Sequence, residues 1–409
     1  MPALFITLRV FIPFALGYFL SYIYRVVNAV IAPDLVTELG LDASDLGLLT
    51  STYFLTFAAF QIPLGMLLDR FGPRRTESVL LLFAAAGAFV FALAPNTTTL
   101  IIGRGLIGFG VSACLMAAFK GFVMWFPPGR LPLVNGLQMA VGGVGALTAT
   151  VPIETALAFT DWRGIFMALG GLTVFAAILL FTVVPDKQGE AEPSRMADQF
   201  GGVKQGMTSP LFWRIAPITF TTQAAFLAIQ SLWSGPWMRD VAGMGRDEVA
   251  TSLMVIAGAM TVGFLLAGAV AERLGRVGVT PTAVAIVSMI GSMVMQLVLV
   301  LGLPVPPLLL WGVFALFGTN GILVYAGLSQ TFPRHLAGRV NTGLNLLVFV
   351  GGFSFQWGIG VIIDLFALAE NGGYQPQAYQ TAFGLVLAME VLALLWMIYY
   401  RKGRLLLKA

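Results

Sequence analysis

Apolar runs recur along the chain at about 9–32, 45–68, 77–94, 98–122, 134–157, 164–184, 211–236, 249–271, 279–302, 307–331, 341–365 and 379–400, separated by short polar segments. Each approaches the roughly 20 residues that a helix rising 1.5 Å per residue needs to cross the hydrocarbon layer of a bilayer. Backbone groups have no water to bond in that layer, so such runs predict helices that satisfy their own hydrogen bonds. The longest polar interval, 185–209, carries Asp186, Lys187, Glu190, Glu192, Arg195, Asp198 and Lys204 among glycines and a proline. The pattern predicts an all-α membrane protein with twelve transmembrane helices in two six-helix, pseudo-symmetric bundles: residues 1–185, a cytoplasmic linker at 186–209, and residues 210–409. The opening segment has no small-residue cleavage site behind a short apolar core and reads as a retained first span.

Composition supports this reading. Of 409 residues 58% are hydrophobic and 10% charged, where soluble domains carry about 25% charged. The net charge of +4 is spread over loops rather than gathered in a patch, which argues against nucleic acid as a partner. Of the 23 Lys and Arg residues seventeen fall on one side of the membrane, while Arg163, Arg239 and Arg246 fall on the other. That bias places both termini and the linker in the cytoplasm. Arg25, Arg104 and Lys120 lie within spans.

The single cysteine, Cys114, excludes an internal disulfide, and the single histidine, His335, leaves nothing from which to build a metal site or a Ser/His/Asp triad. No Gly-rich phosphate loop ending in Lys-Ser or Lys-Thr occurs. An enzyme is not expected, nor any cofactor. Nothing in the chain suggests an obligate oligomer, so a monomer in contact with membrane lipid is expected.

The two halves repeat one another. Gly65, Asp69, Arg70 and Gly72, followed by Arg74 and Arg75, return as Gly268, Glu272, Arg273 and Gly275, followed by Arg276, at an offset of 203 residues. Phe126-Pro127 with Asn135 returns as Phe332-Pro333 with Asn341, and Glu154 is echoed by Asp364. A parallel duplication of a six-span unit is the arrangement in which two halves enclose a midplane site and rock about it.

Over nearly its whole length the chain resembles the major facilitator superfamily. Gly65 to Arg75 is similar to that family's loop between spans 2 and 3, and Leu100, Arg104, Gly108 and Gly110 are similar to its span 4 motif. The antiporter signature of span 5 is missing its proline at Gly142-Gly143-Val144-Gly145. The resemblance implies that Asp69, Arg70, Arg74, Glu272, Arg273 and Arg276 serve gating, with Asp69 meeting a helix dipole and a base across the interface of the halves. The arginines could instead serve only as topology anchors. Arg104 is implied in coupling or structural pairing, and proton or co-ion coupling is likewise expected from the resemblance.

Arg25 is the leading candidate for holding substrate. A charge so far into a span is costly, by about 2.5–3.5 kcal/mol on insertion scales, and normally faces a cavity or a partner. Tyr18, Ser21, Tyr22 and Asn28 share its helical face. The stretch Ser21 to Asn28 with Ala32-Pro33 also resembles the first span of the anion:cation symporter branch, which moves organic anions such as sugar acids. Arg can hold a carboxylate bidentately, as Lys cannot. The alternative is an arginine paired permanently inside the bundle.

Lys120 either meets an anion near the cytoplasmic end of span 4 or snorkels to the headgroups. In the second half Gln223, Gln230, Ser234 and Trp237 fall near one face of span 7, where Gly235-Pro236 permits a bend. Trp237 either covers an apolar part of a substrate or anchors the helix at the interface. Asn320, Tyr325, Ser329, Asn341, Asn345 and Gln356 complete a polar lining, with Tyr53 and Gln61 as weaker members. Three acids, Glu154, Asp364 and Glu390, stand in or near apolar runs without an evident role. The expected activity is secondary active transport of a small carboxylate-type anion across an inner membrane; the alternatives are proton-driven export of amphipathic compounds and a transporter-like sensor.

Overall fold

The computed structural model describes residues 7–127, 130–186, 203–332, 334–370 and 372–406. Lys187, Glu190, Glu192, Arg195 and Asp198 of the expected linker lie outside the described residues, as do the side chains of Ser329 and His335. Among the described residues there are no β-strands, and sixteen α-helices carry the fold. They are α1 Ile12–Val26, α2 Asn28–Leu39, α3 Ala43–Ala92, α4 Thr97–Val111, α5 Cys114–Trp125, α6 Leu131–Thr148, α7 Val151–Leu157 and α8 Trp162–Val183, then α9 Pro210–Ala228, α10 Ser234–Asp240, α11 Arg246–Gly275, α12 Pro281–Leu301, α13 Pro307–Gly318, α14 Leu323–Thr331, α15 Arg334–Ile363 and α16 Pro376–Leu406.

Ten of the resulting helices are long and apolar enough to span a bilayer; the bent pair α1 and α2 adds an eleventh, and a break in α3 divides that helix into two, which makes twelve. The break is at Gly72, whose φ of 77° and ψ of 166° only glycine adopts without strain, and Pro73 starts the next helix at once. The α1–α2 bend is 45°, with Pro33 inside α2 unable to donate to the carbonyl one turn back.

Several other spans are interrupted near their middles. Span 4 is broken at Ser112 and Ala113, span 7 winds into a π-helix at Ile229–Trp233, and span 10 tightens into a 3₁₀ turn at Thr319–Ile322. Each break loosens local hydrogen bonding in a helix that must otherwise satisfy itself. Outside the membrane, side chains close the helix ends: Asn96 accepts from Thr99 N at 3.0 Å and Asp161 from Gly164 N at 2.8 Å.

The chain divides into two compact units. Unit 1 holds Met1–Leu41 and Leu48–Met196, and unit 2 holds Asp42–Gly47 and Ala197–Ala409. In unit 1 the core gathers Phe14, Leu64, Leu80, Ala117 and Phe122. Helices approach backbone to backbone where span 3 meets α4: a Cβ at Gly87 would stand 2.7 Å from both Gly103 O and Ile107 N. Small residues of this kind drive helix association in lipid, where apolar burial gives no advantage over the acyl chains. In unit 2 the core gathers Phe212, Ala285, Met289, Val324 and Leu344. Large apolar side chains also stand outward, Phe83, Phe175 and Ile178 in unit 1 and Leu265, Leu392 and Leu395 in unit 2. In a soluble protein such surface would be a liability; in a bilayer it is the solvated face.

Candidate functional site

The polar stripe of the first span is built around Arg25 in the last turn of α1, immediately before the bend. Its guanidinium carbon lies 4.5 Å from the Tyr22 ring centre, 5.8 Å from Phe57 and 6.0 Å from Tyr53. Three aromatic faces thus surround a half-buried cation, a setting that stabilises positive charge where water is scarce. Tyr18 stands edge-on to Tyr22 at 5.1 Å, and its hydroxyl donates to Met139 Sδ at 3.5 Å. Tyr53 is fully buried; its hydroxyl donates to Ser21 O at 3.3 Å and lies 3.4 Å from Ser21 Oγ. These bonds tie α3 to α1 one turn before Arg25. Asn28, just past the bend, donates to Thr50 Oγ1 at 3.0 Å.

Arg104 supports this arrangement from α4. It is 1% exposed; its Nη1 donates to Tyr24 O at 2.6 Å and its guanidinium sits 5.0 Å from the Tyr53 ring centre. One tyrosine ring therefore carries two guanidiniums. The Tyr24 hydroxyl is 2.9 Å from Thr173 Oγ1, which extends the support into α8. The structure brings Tyr18, Tyr22, Arg25 and Asn28 together on α1 and α2 and adds Tyr53, a weaker candidate in the sequence, as the hub. Thr50 and Phe57 were not among the sequence candidates; a reading of span 2 at helical spacing from Tyr53 reaches both.

The loop residues form pairs inside unit 1. Lys120 is paired: its Nζ lies 2.5 Å from Asp69 Oδ1, with both side chains about a quarter exposed. A base facing Asp69 thus comes from α5 of the same unit. Arg75 bonds Asp186 at 2.6 Å, with Arg74 at 3.9 Å from the same oxygen and stacked on Phe181 at 4.9 Å. Arg70 lies over the Phe71 ring at 5.2 Å. Near the other end of the bundle Glu38 accepts from Arg163 at 2.6 Å and Trp162 Nε1 at 2.7 Å.

Unit 2 lines its interrupted helices with amides and hydroxyls. Gln223 donates to Gly318 O at 3.0 Å, and Gln230 O accepts from Ser234 Oγ at 3.1 Å. Gln356 donates to Ser231 Oγ at 3.0 Å, while Trp233 Nε1 donates to Gln356 O at 2.9 Å. Tyr325 donates to Asn345 Oδ1 at 3.3 Å, and Asn341 lies half-buried on the same helix as Asn345, α15. Trp237 is buried against Trp311 at 5.5 Å between ring centres, which places it in the core of the unit rather than in an exposed interfacial belt. Glu272 and Arg276 pair at 2.8 Å on the exposed end of α11, and Arg273 is exposed beside them. Asp364 accepts from the backbone N–H groups of Ala43 at 2.9 Å and Ser44 at 2.6 Å, so its carboxylate caps a helix start.

One buried acid escaped the sequence reading. Glu77 is fully buried at the start of span 3, but it stands at the very edge of the apolar run 77–94, directly behind Arg74, Arg75 and Thr76, and was not singled out among the acids. The uninterrupted apolar run behind it was the available signal.

Comparison with known proteins gives this geometry a context. Residues 14–356 match the model of the Major Facilitator Superfamily. A relative described as "Probable sulfoacetate transporter SauU", from Cupriavidus necator, is 26% identical over 68% of this chain and 69% of its own length. The hexuronate transporter of Escherichia coli K12 is 24% identical over 58% of each chain. The nitrate/nitrite transporter NrtP of a Picosynechococcus species is 32% identical over 32% of this chain, covering 24% of that protein. Among solved structures a bacterial homologue of the human lysosomal transporter Spinster superposes with a TM-score of 0.72 at 18% identity, over 96% of this chain and 94% of that one. The D-xylose-proton symporter gives 0.71 at 16% identity, over 95% and 97%. The chain is a multi-pass membrane transporter rather than an enzyme, and it belongs to the major facilitator superfamily.

Proposed function

We propose that this transporter carries a small organic anion of the carboxylate or sulfonate type across a bacterial inner membrane by alternating access, coupled to a proton or a co-transported ion. The observation that supports this most is the Arg25 guanidinium, placed in the middle of a bilayer-spanning helix among Tyr22, Tyr53 and Phe57. A guanidinium is planar and presents its N–H groups in a fork, and a carboxylate or sulfonate is the anion whose geometry matches that fork. The relatives named for sulfoacetate and hexuronate carry such groups in their substrates. Gln223, Gln230, Trp237, Tyr325, Asn341 and Asn345 of unit 2 are proposed as neutral substrate contacts. Asp69, Arg70, Arg74, Arg104, Glu272, Arg273 and Arg276 remain proposed for gating, with the termini and linker on the cytoplasmic side and the protein acting as a monomer.

Thermal unfolding of the purified protein in the presence of sulfoacetate, glucuronate, nitrate, a quaternary amine or a neutral amphiphile tests the reading, because a ligand that binds the native state raises the unfolding temperature by mass action. Stabilisation by the anions, lost in Arg25→Ala, supports it and should be followed by uptake into proteoliposomes. Equal stabilisation of both proteins by cations or amphiphiles would sink it in favour of export.

A further inference from the structure

Glu77 is fully buried, and neither of its carboxyl oxygens has a hydrogen-bond partner. It presses on α1: a methyl group at Gly17 would overlap Oε1 and stand 3.5 Å from the carboxyl carbon. The buried thiol of Cys114, at the start of α5 just past the span 4 break, lies beside it. The surrounding bases are engaged or distant. Arg74, one turn earlier on the same helix, faces Asp186 and Phe181; Lys120 pairs with Asp69; Arg25 is eight residues beyond Gly17 on α1, its guanidinium among Tyr22, Tyr53 and Phe57. A carboxylate charge with no base in contact and at most a weak thiol donor beside it is not sustained in such surroundings, whereas a neutral carboxylic acid is.

We propose that Glu77 is the proton-binding site of the transport cycle. This rests on the reading of the chain as a coupled anion carrier and names the residue that does the coupling. In the packing described here Glu77 carries a proton. When α1 separates from span 3 at Gly17, water reaches the carboxyl group, the O–H bond breaks, and the proton leaves to water while the carboxylate keeps the electron pair. Rebinding of a proton is then required before α1 can close again over Glu77. Because α1 also carries Arg25, the helix that holds the anion is the one whose closure needs the proton. Movement of one proton with a monovalent anion is electroneutral, so a pH gradient drives it and a membrane potential does not.

Two arms test this with the full chain reconstituted in liposomes. Infrared difference spectra between acidic and alkaline pH should show a carboxylic-acid carbonyl band that vanishes in Glu77→Gln and persists in Glu390→Gln, the second buried acid. A band that survives Glu77→Gln overturns the proposal, whatever the substrate is. In the transport arm, Glu77→Gln should reduce accumulation of glucuronate under an imposed pH gradient by at least about tenfold, while exchange of internal for external glucuronate persists. Accumulation in that variant equal to the wild type also overturns it. If the wild type moves neither glucuronate nor sulfoacetate, the anion reading falls and the infrared arm alone decides the proton site.

Discussion

The two units have the same number of spans and share a repeated loop motif, yet they bury different kinds of polar group. Unit 1 encloses ionisable groups: Arg104 and Glu77 lie at 1% and 0% exposure, with Arg25 half-buried beside the same tyrosine that carries Arg104. Unit 2 encloses mainly amides and hydroxyls, with Gln223, Gln356, Ser231 and Trp233 bonding one another or the backbone of broken helices, and, among the described residues, two buried carboxyl groups, Glu390 and the Asp240 side chain paired with Arg239. Duplication preserves a fold more faithfully than it preserves chemistry. Charge in a membrane interior is costly to keep and so marks where work on a charged solute is done; amide networks in the same place mainly hold interrupted helices in register.

Substitutions that should act on one unit's task and not on the other's put this contrast to the test. The largest effect is expected for Arg25→Ala, which removes the charge-assisted bonds to the anion, each worth about 1.5–3 kcal/mol or roughly 10- to 150-fold in affinity. Isothermal titration with the stabilising anion measures it, and Arg25→Lys should recover only part of the loss. Unchanged affinity in Arg25→Ala would erase the distinction between the units. Next, Gln356→Leu should destabilise the protein by about 1–3 kcal/mol through the stranded Ser231 and its neighbours, with anion affinity within about twofold of wild type. Thermal unfolding read beside titration separates the two quantities, and an affinity collapse there would move recognition into unit 2. Tyr53→Phe keeps the ring under both guanidiniums but removes the bond to Ser21, and should cost about 1 kcal/mol of stability with weakened binding as α1 loosens. At the small end, Glu272→Gln breaks a pair in which both side chains are more than 70% exposed, and unfolding should shift by less than about 0.5 kcal/mol.

Much of this was legible in the chain. The apolar runs marked the spans, the repeat at Gly65 and Gly268 marked the duplication, and a lone arginine with tyrosines at helical spacing marked the stripe on α1, because in a membrane the cost of a buried charge makes it conspicuous. What was hidden depended on distance across helices. Lys120 gave no sign that its partner was Asp69, fifty-one positions away. Tyr53 looked like one of several polar residues in span 2 until its ring was placed against both Arg25 and Arg104. Glu77 was concealed by its charged neighbours, since hydropathy averages over a window and cannot tell the last loop residue from the first buried one. The burial of Trp237 against Trp311 was likewise invisible in the chain.

The bond from Arg104 ends on the peptide carbonyl of Tyr24 and not on a side chain. No substitution at position 24 deletes that acceptor. In a genetic selection, revertants of an Arg104 lesion should therefore not accumulate at Tyr24. They should arise at Tyr53, whose ring meets both cations, so suppressor maps would single out a residue that carries no charge of its own.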